Sequence, residues 1–355
     1  MNTKESILPS SVMSLGRREL IDHMARAGMG MVSLAMLCEG FAGKSARAAT
    51  PDLVTHQLGW VKGVQFGGDF MAQEQGYFAA ENLRVEYTAG GISTDYRTLV
   101  SAGRTMVSES NVAGMMYGAI EQQPIVAFAA VMQKDPGCFM SNPKKPVASL
   151  SDMVGRTIGV PNNIRNQITV LLKRAKIDPA TVRFVPIGSD PSMLVVGQVD
   201  AYWGWATNSV PALRRVGFDP YILSMADIGI PGYAELLIAR RDTLAAQHDL
   251  FVRYTRALVK GWQWMVDHTE DCARIVTEKY AAPGTNLADQ IAEARMMIDY
   301  ITAGDAKTEG LLWIKPEPFE QGVKLAQEMG MLTDGRTIDV SQIMTQSVIR
   351  AALGK

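Results

Sequence analysis

The residues of this chain that could engage a small molecule stand at a few places along it. Trp60, Gln65, Phe66, Asp69 and Phe70 come in close succession after one apolar run. Gly90-Gly91 follows a second run and Ser110-Asn111 a third. Further on, Asn162-Asn163 and Arg165 open a helical segment, Trp203, Trp205 and Asn208 crowd the end of another run, and Tyr233 stands in a Gly/Pro-rich stretch. These are flat rings, amides, hydroxyls and glycines. Rings can close on both faces of a planar solute while amides fix its orientation. A helix start at Asn162-Asn163 adds free backbone N–H groups. That is equipment for selective binding. No single ring carries the reading, because Phe66, Phe70 and Tyr233 serve equally well as core, and Trp203 and Trp205, two apart on a strand, share one face. Asn163 and Asp69 equally suit plain helix caps.

Equipment for bond-making chemistry is sparse. The chain has 4 His and 3 Cys. It lacks a Gly-x-Ser-x-Gly elbow, a His-Glu-x-x-His pair and a Cys-x-x-Cys pair, so no hydrolase triad or zinc site is expected. Cys38 to Ser45 nearly spells a phosphate loop, but cysteine stands where the first glycine belongs. Lys62 is the one obvious candidate for a cofactor lysine and reads as a loop residue. His56 lies in the first strand with no visible acidic partner. No cofactor and no metal are expected.

The elements that must position these residues alternate. Short apolar runs at Val54–Leu58, Leu83–Tyr87, Met106–Ser108 and Ile125–Val131 are separated by helical periodicity. A second series has runs at Thr157–Val160, Val182–Ile187, Ala201–Trp203 and Tyr221–Leu223, and Glu235–Ala239 follows as a further strand. Helices dominate beyond residue 250. Repeated strand–helix–strand units predict an α/β protein with parallel sheets covered on both faces. Two crossing segments are read, Ser141–Pro146 and Asp227–Tyr233. They predict two lobes: a discontinuous first lobe of 49–140 plus 234–355, holding the C-terminal helices, and a second lobe of 141–233. Such a layout places a cleft between lobes, at the carboxyl ends of strands.

The first 48 residues read as an address. Arg17-Arg18, the apolar run Ala27–Leu37 and Ala46-Arg47-Ala48 are the basic, apolar and small-residue parts of an export signal. The paired arginines suggest the twin-arginine route, with cleavage after Ala48. The rest of the chain has no apolar run of membrane-spanning length. At 47% hydrophobic and 20% charged residues the composition is that of a globular protein. A net charge of -1 offers no basic field for nucleic acid. Cys138 and Cys272 are expected as buried thiols.

Several stretches resemble one family. Leu58-Gly59-Trp60, Gly76 to Glu86, Leu150 to Val160, Val196 to Ala201, Asp227 to Ala239 and Leu258 to Trp262 occur in the order found in periplasmic solute-binding proteins. Those proteins feed ABC importers with thiamine pyrimidine precursors, riboflavin, sulfonates or nitrate. The resemblance implies the two-lobed periplasmic-binding-protein fold with two crossover strands, a monomer in the periplasm, a small-molecule ligand and a membrane permease as partner. Gly229 to Leu236 is closest to the thiamine-pyrimidine and riboflavin branch, which implies an aromatic nitrogen heterocycle bound without catalysis. Trp60, the Gly90-Gly91 pair and Tyr233 match that branch's tryptophan, glycine pair and tyrosine. The sequence departs from the branch at Val61, Lys62 and Gly63, where proline and asparagine are usual. Two alternatives stay open. One is a sulfonate-, nitrate- or taurine-type anion held by Asn162, Asn163 and Arg165. The other is a pyrimidine synthase-like enzyme; in those enzymes histidine stands near the position of Phe66, and a cysteine-rich run replaces Cys138-Phe139.

Overall fold

The computed structural model describes residues 50–91, 94–188, 190–230, 232–333 and 335–355, without the side chains of Asn162 and Asn163. The expected export signal and its cleavage point lie outside the described residues.

Two five-stranded sheets organise the described chain. The first has the order β2-β1-β3-β10-β4, with β1 Asp52–Gln57, β2 Leu83–Thr88, β3 Val107–Ser110, β4 Ile125–Met132 and β10 Ala234–Arg240. The second has the order β7-β6-β8-β5-β9, with β5 Gly137–Ser141, β6 Thr157–Gly159, β7 Arg183–Val185, β8 Ala201–Trp205 and β9 Tyr221–Ser224. The chain therefore enters the second sheet between Met132 and Gly137, earlier than the expected segment Ser141–Pro146. The strand Gly137–Ser141 gives no alternating pattern because all five of its residues are buried. The return falls between Ser224 and Ala234, a stretch that contains the expected Asp227–Tyr233.

The sheets are mixed rather than parallel. β1, β2 and β3 run parallel, but β10 is antiparallel to both β3 and β4. Likewise β5 is antiparallel to β8 and β9. Both strands that receive the chain from the other sheet arrive without a crossover helix. They enter at the carboxyl end of their neighbours and must run the other way.

Each sheet keeps its own core. The first packs Leu58, Phe128, Leu236 and Ile238 with the helices that follow β10. One close crossing there depends on glycine. In helix α1, Gly67–Glu74, a Cβ on Gly68 would lie 2.1 Å from the Trp262 indole; the next helix labelled in chain order, α2, is Tyr96–Ser101. β4 is an edge strand, yet all eight of its residues are buried. Ala127 N–H donates to the Ile343 carbonyl at 2.9 Å and Ala130 N–H to that of Leu312 at 3.1 Å, so C-terminal segments occupy the open edge.

The second sheet carries two clusters, one around Ile158, Ile168 and Leu172 and one around Tyr202, Val210 and Leu213. The other long helices among the described residues are α3 Val112–Ile120, α4 Asn162–Arg174, α5 Ala206–Arg215, α6 His248–Asp267, α7 Thr269–Lys279, α8 Leu287–Ile301 and α9 Glu317–Glu328. Met296 and Tyr300 of α8 and Leu325 of α9 pack on the clusters of the second sheet. Arg174–Glu328 and Arg215–Asp289 ion pairs span the same junction at 3.1 Å each. The C-terminal helices thus brace both lobes.

Candidate functional site

Where the lobes face each other, a cavity of about 270 Å³ opens. Its parts come from strand ends in both sheets. Gly59 and Trp60 follow β1, Ser110 and Asn111 end and follow β3, and Trp203 and Trp205 end β8. Because β10 is antiparallel, its beginning lies beside the end of β3, with Leu236 opposite Ser110. Glu235 therefore reaches the same cavity.

Of the residues singled out in the sequence, Trp60, Gln65, Ser110, Asn111, Trp203, Trp205 and Asn208 line this cavity. Asn111 also caps α3, its Oδ1 accepting from Gly114 N–H at 2.7 Å. Trp203 and Trp205 share a half-buried face of β8 while Tyr202 and Gly204 point into the core.

The others go elsewhere. Phe66 is 1% exposed and packs edge-on to Phe70 in the first core. It is core because it sits in the short turn behind α1, facing the C-terminal helices. Gly90 and Gly91 do not line the cavity. Gly90 instead backs the Trp60 loop: its N–H donates to the Trp60 carbonyl at 2.8 Å, and a Cβ there would lie 2.2 Å from the Leu58 carbonyl oxygen. Arg165 is exposed and stacks on Phe184, 5.7 Å from the ring centroid, so it does not line the cavity. Asn162 and Asn163 open α4, but their side chains lie outside the described residues; the neighbouring Pro161 lines the cavity. Tyr233 is 3% exposed beside Phe319 and faces a second cavity instead. Lys62 lines neither cavity.

Asp69 belongs to a buried polar cluster, and here the expectation that His56 has no acidic partner is overturned. Asp69 Oδ1 is 3.5 Å from His56 Nδ1, which is 2.9 Å from the Tyr254 hydroxyl. On its other side, His56 Nε2 lies 3.1 Å from Glu109 Oε1, off the line of a hydrogen bond. Burial raises the Asp69 carboxyl to about 7 against the pull of His56. The partners come from β1, α1, β3 and α6, distant in sequence and adjacent only in the fold.

Glu109 links this cluster to the cavity, which it lines, and its Oε2 accepts from Gly59 N–H at 2.6 Å. Glu235 is the more exceptional group. It is 4% exposed, and both carboxyl oxygens are buried without a hydrogen-bond partner. Burial, and then the charge of Glu109, push its carboxyl well above the usual range; the nearby Gln65 amide, short of hydrogen-bond geometry, pulls the other way. Its φ of 50° is left-handed, a conformation that costs a non-glycine residue about 1–2 kcal/mol. Backbone strain and an orphaned acid coincide at one residue beside a cavity, as at sites that await a partner. No Lys, Arg or His is among the described residues lining this cavity. Sequence reasoning missed Glu109 and Glu235. The available signal was a charge inside an otherwise apolar or small-residue strand, in VSES and AELLIAR.

The architecture is that of the periplasmic solute-binding proteins. The aliphatic sulphonate binding protein SsuA from Escherichia coli superposes with a TM-score of 0.60 at 12% identity, over 83% of this chain and 92% of that one. The desulfurization enzyme DszB has the same fold, with a TM-score of 0.56 at 14% identity over 85% of this chain and 99% of that one. Within that architecture, the chain belongs to the NMT1/THI5-like family, whose model matches residues 64–272. A formylaminopyrimidine-binding protein of Halalkalibacterium halodurans is 24% identical over 64% of this chain and 71% of its own length. The riboflavin-binding protein RibY of Chloroflexus aurantiacus is 24% identical over 83% of this chain and 86% of its own.

Proposed function

We propose that this protein is the exported solute-binding component of an ABC importer. In this reading it works as a periplasmic monomer and captures an aromatic nitrogen heterocycle between its lobes without altering it. Closure follows because the ligand touches both lobes, and the closed form is what the permease receives.

One observation carries the ligand class. The cavity is walled by Trp60, Trp203 and Trp205 and carries two carboxyls, with no cationic side chain among its described lining residues. An anion would find two carboxyls and no cationic side chain among the described lining residues. A heterocycle bearing an amino group next to a ring nitrogen meets a complementary edge. The Glu235 carboxyl, which burial biases toward its neutral form, would donate to the ring nitrogen and accept from the amino group. A ligand that arrives protonated finds the same pair with the proton on the other side. The names of the two relatives, one binding a formylaminopyrimidine and one riboflavin, support the broader class of aromatic nitrogen heterocycles. The absence of Arg165 from the lining weighs against the sulfonate-type reading. No residue at the cavity supplies a lysine or thiol nucleophile among those described, so the reading contains no catalytic step.

Titration calorimetry against a panel tests this. A 4-aminopyrimidine or a flavin is expected to bind and to be recovered unchanged, with taurine and nitrate silent. Binding of the anions with silence of every heterocycle refutes it.

A further inference from the structure

The cleft does not end at its tryptophans. A second cavity of about 400 Å³ lies beyond them, and Tyr96, Asn111, Trp203 and Trp205 line both. The two spaces thus share a wall but differ in chemistry. The first presents carboxyls and amides. The second presents Met116 from α3, Met225 after β9, and Met329 and Met331 just past the end of α9, beside the amides of Gln167 and Gln321. Thioethers are flexible and polarisable, and they pack well against aromatic faces of varied outline.

The ionic groups of this second chamber are already engaged. Arg97 donates to the Gly114 carbonyl at 3.3 Å, pairs with Glu121 at 3.5 Å and lies over the Tyr117 ring. Asp135 accepts from Gly137 N–H at 2.7 Å. Both are thus held by contacts within the protein. Size points the same way. Pockets for extended organic ligands run to about 300–1,000 Å³; the first cavity alone falls below that range, and the two together fall inside it.

We infer that the methionine-lined chamber is a second subsite for the same ligand, and that the ligand is a fused, uncharged multi-ring heterocycle. Its nitrogen-bearing edge is held by Glu109 and Glu235, and its apolar rings pass Trp203 and Trp205 into the chamber. This rests on the reading above and narrows it from any aminoheterocycle to one larger than a single pyrimidine ring.

Calorimetry on the mature full chain with two probes of identical edge tests the inference. One is 4-aminopyrimidine and the other the three-ring 4-aminobenzo[g]quinazoline. The three-ring probe is expected to bind about tenfold or more tighter, from the apolar area it adds. Met225→Trp, which fills the chamber, is expected to cut the advantage of the three-ring probe over 4-aminopyrimidine to less than about twofold, the ratio being read within the same variant. Should Met225→Trp fail to fold, 13C-methyl methionine NMR of the unmutated protein decides. The three-ring probe must shift the Met116, Met225, Met329 and Met331 methyls, and the single ring must not. Equal affinity of the two probes, an undiminished three-ring advantage in folded Met225→Trp, or unmoved methionine methyls overturns the inference and leaves the aminoheterocycle reading standing. Silence of both probes overturns both.

Discussion

Glu235→Leu should raise the stability of the ligand-free protein and lower its affinity for an aminoheterocycle. The opposite signs are the point. In the folded chain both carboxyl oxygens are buried and unpartnered. Leaving such a group unsatisfied costs about 1–3 kcal/mol, and replacing it with an apolar side chain of similar size removes that cost. Leucine suits the site because the left-handed φ of 50° is no worse for it than for glutamate, whereas a β-branched residue would add strain. For a domain of this size the gain corresponds to a melting temperature higher by roughly 2–5 °C. The ligand, in turn, is left with an unsatisfied polar edge, which costs about 1–3 kcal/mol, or roughly 5- to 150-fold in affinity. Differential scanning calorimetry reads the first quantity and titration calorimetry with 4-aminopyrimidine the second. Glu235→Gln refines the result: an amide reproduces the neutral pairing, so a small loss marks a neutral ligand edge and a large one a protonated edge. A variant that is less stable, with affinity unchanged, would refute the reasoning and make Glu235 a structural residue.

Asp69→Asn should flatten the dependence of stability on pH. The folded carboxyl sits at about 7, above its ordinary value of 3.8, so the folded chain retains a proton that the unfolded chain releases. Stability from this group is full below about pH 4 and is lost as pH rises through 7, by at most about 4 kcal/mol. Melting curves between pH 5 and 8 check it, and an unchanged slope counts against it. Gly90→Ala should weaken ligand binding by about tenfold or more although Gly90 lines no cavity, because its Cβ would push on the Leu58–Trp60 backbone; titration calorimetry with 4-aminopyrimidine reads the loss. Cys138 and Cys272 are free and buried, with both thiols pushed up to about 12 by burial. Neither should react with a thiol reagent until the protein is unfolded, when both should react. Neutralising Arg174 and Arg215 together should change melting by no more than a degree or two, since both pairs are largely solvent-exposed.

Local pattern alone located most elements. Val112–Ile120 has the expected bounds, and β1, β2, β4, β8 and β10 lie within a few residues of theirs, since apolar periodicity and turn residues are properties of neighbouring positions. The tryptophans and amides at strand ends were equally legible, because strand ends in such a fold face the cleft. Phe66 and Arg165 were misplaced for a different reason: an aromatic ring or a guanidinium declares its chemistry in the sequence but not the direction in which it points. The strand Gly137–Ser141 escaped notice because burial on both faces erases alternation.

What the sequence determined by itself was the succession of strands and helices, the family pattern and a store of flat and amide side chains. What only the tertiary structure decided was the acid chemistry of the cavity. Glu109 and Glu235 lie far apart in the chain and are brought together when β10 returns antiparallel to β3. His56, Asp69 and Tyr254 join them from three further elements. A carboxyl's charge depends on what surrounds it in space. Pairing across a sheet sets those surroundings, and the order of residues along the chain does not record it.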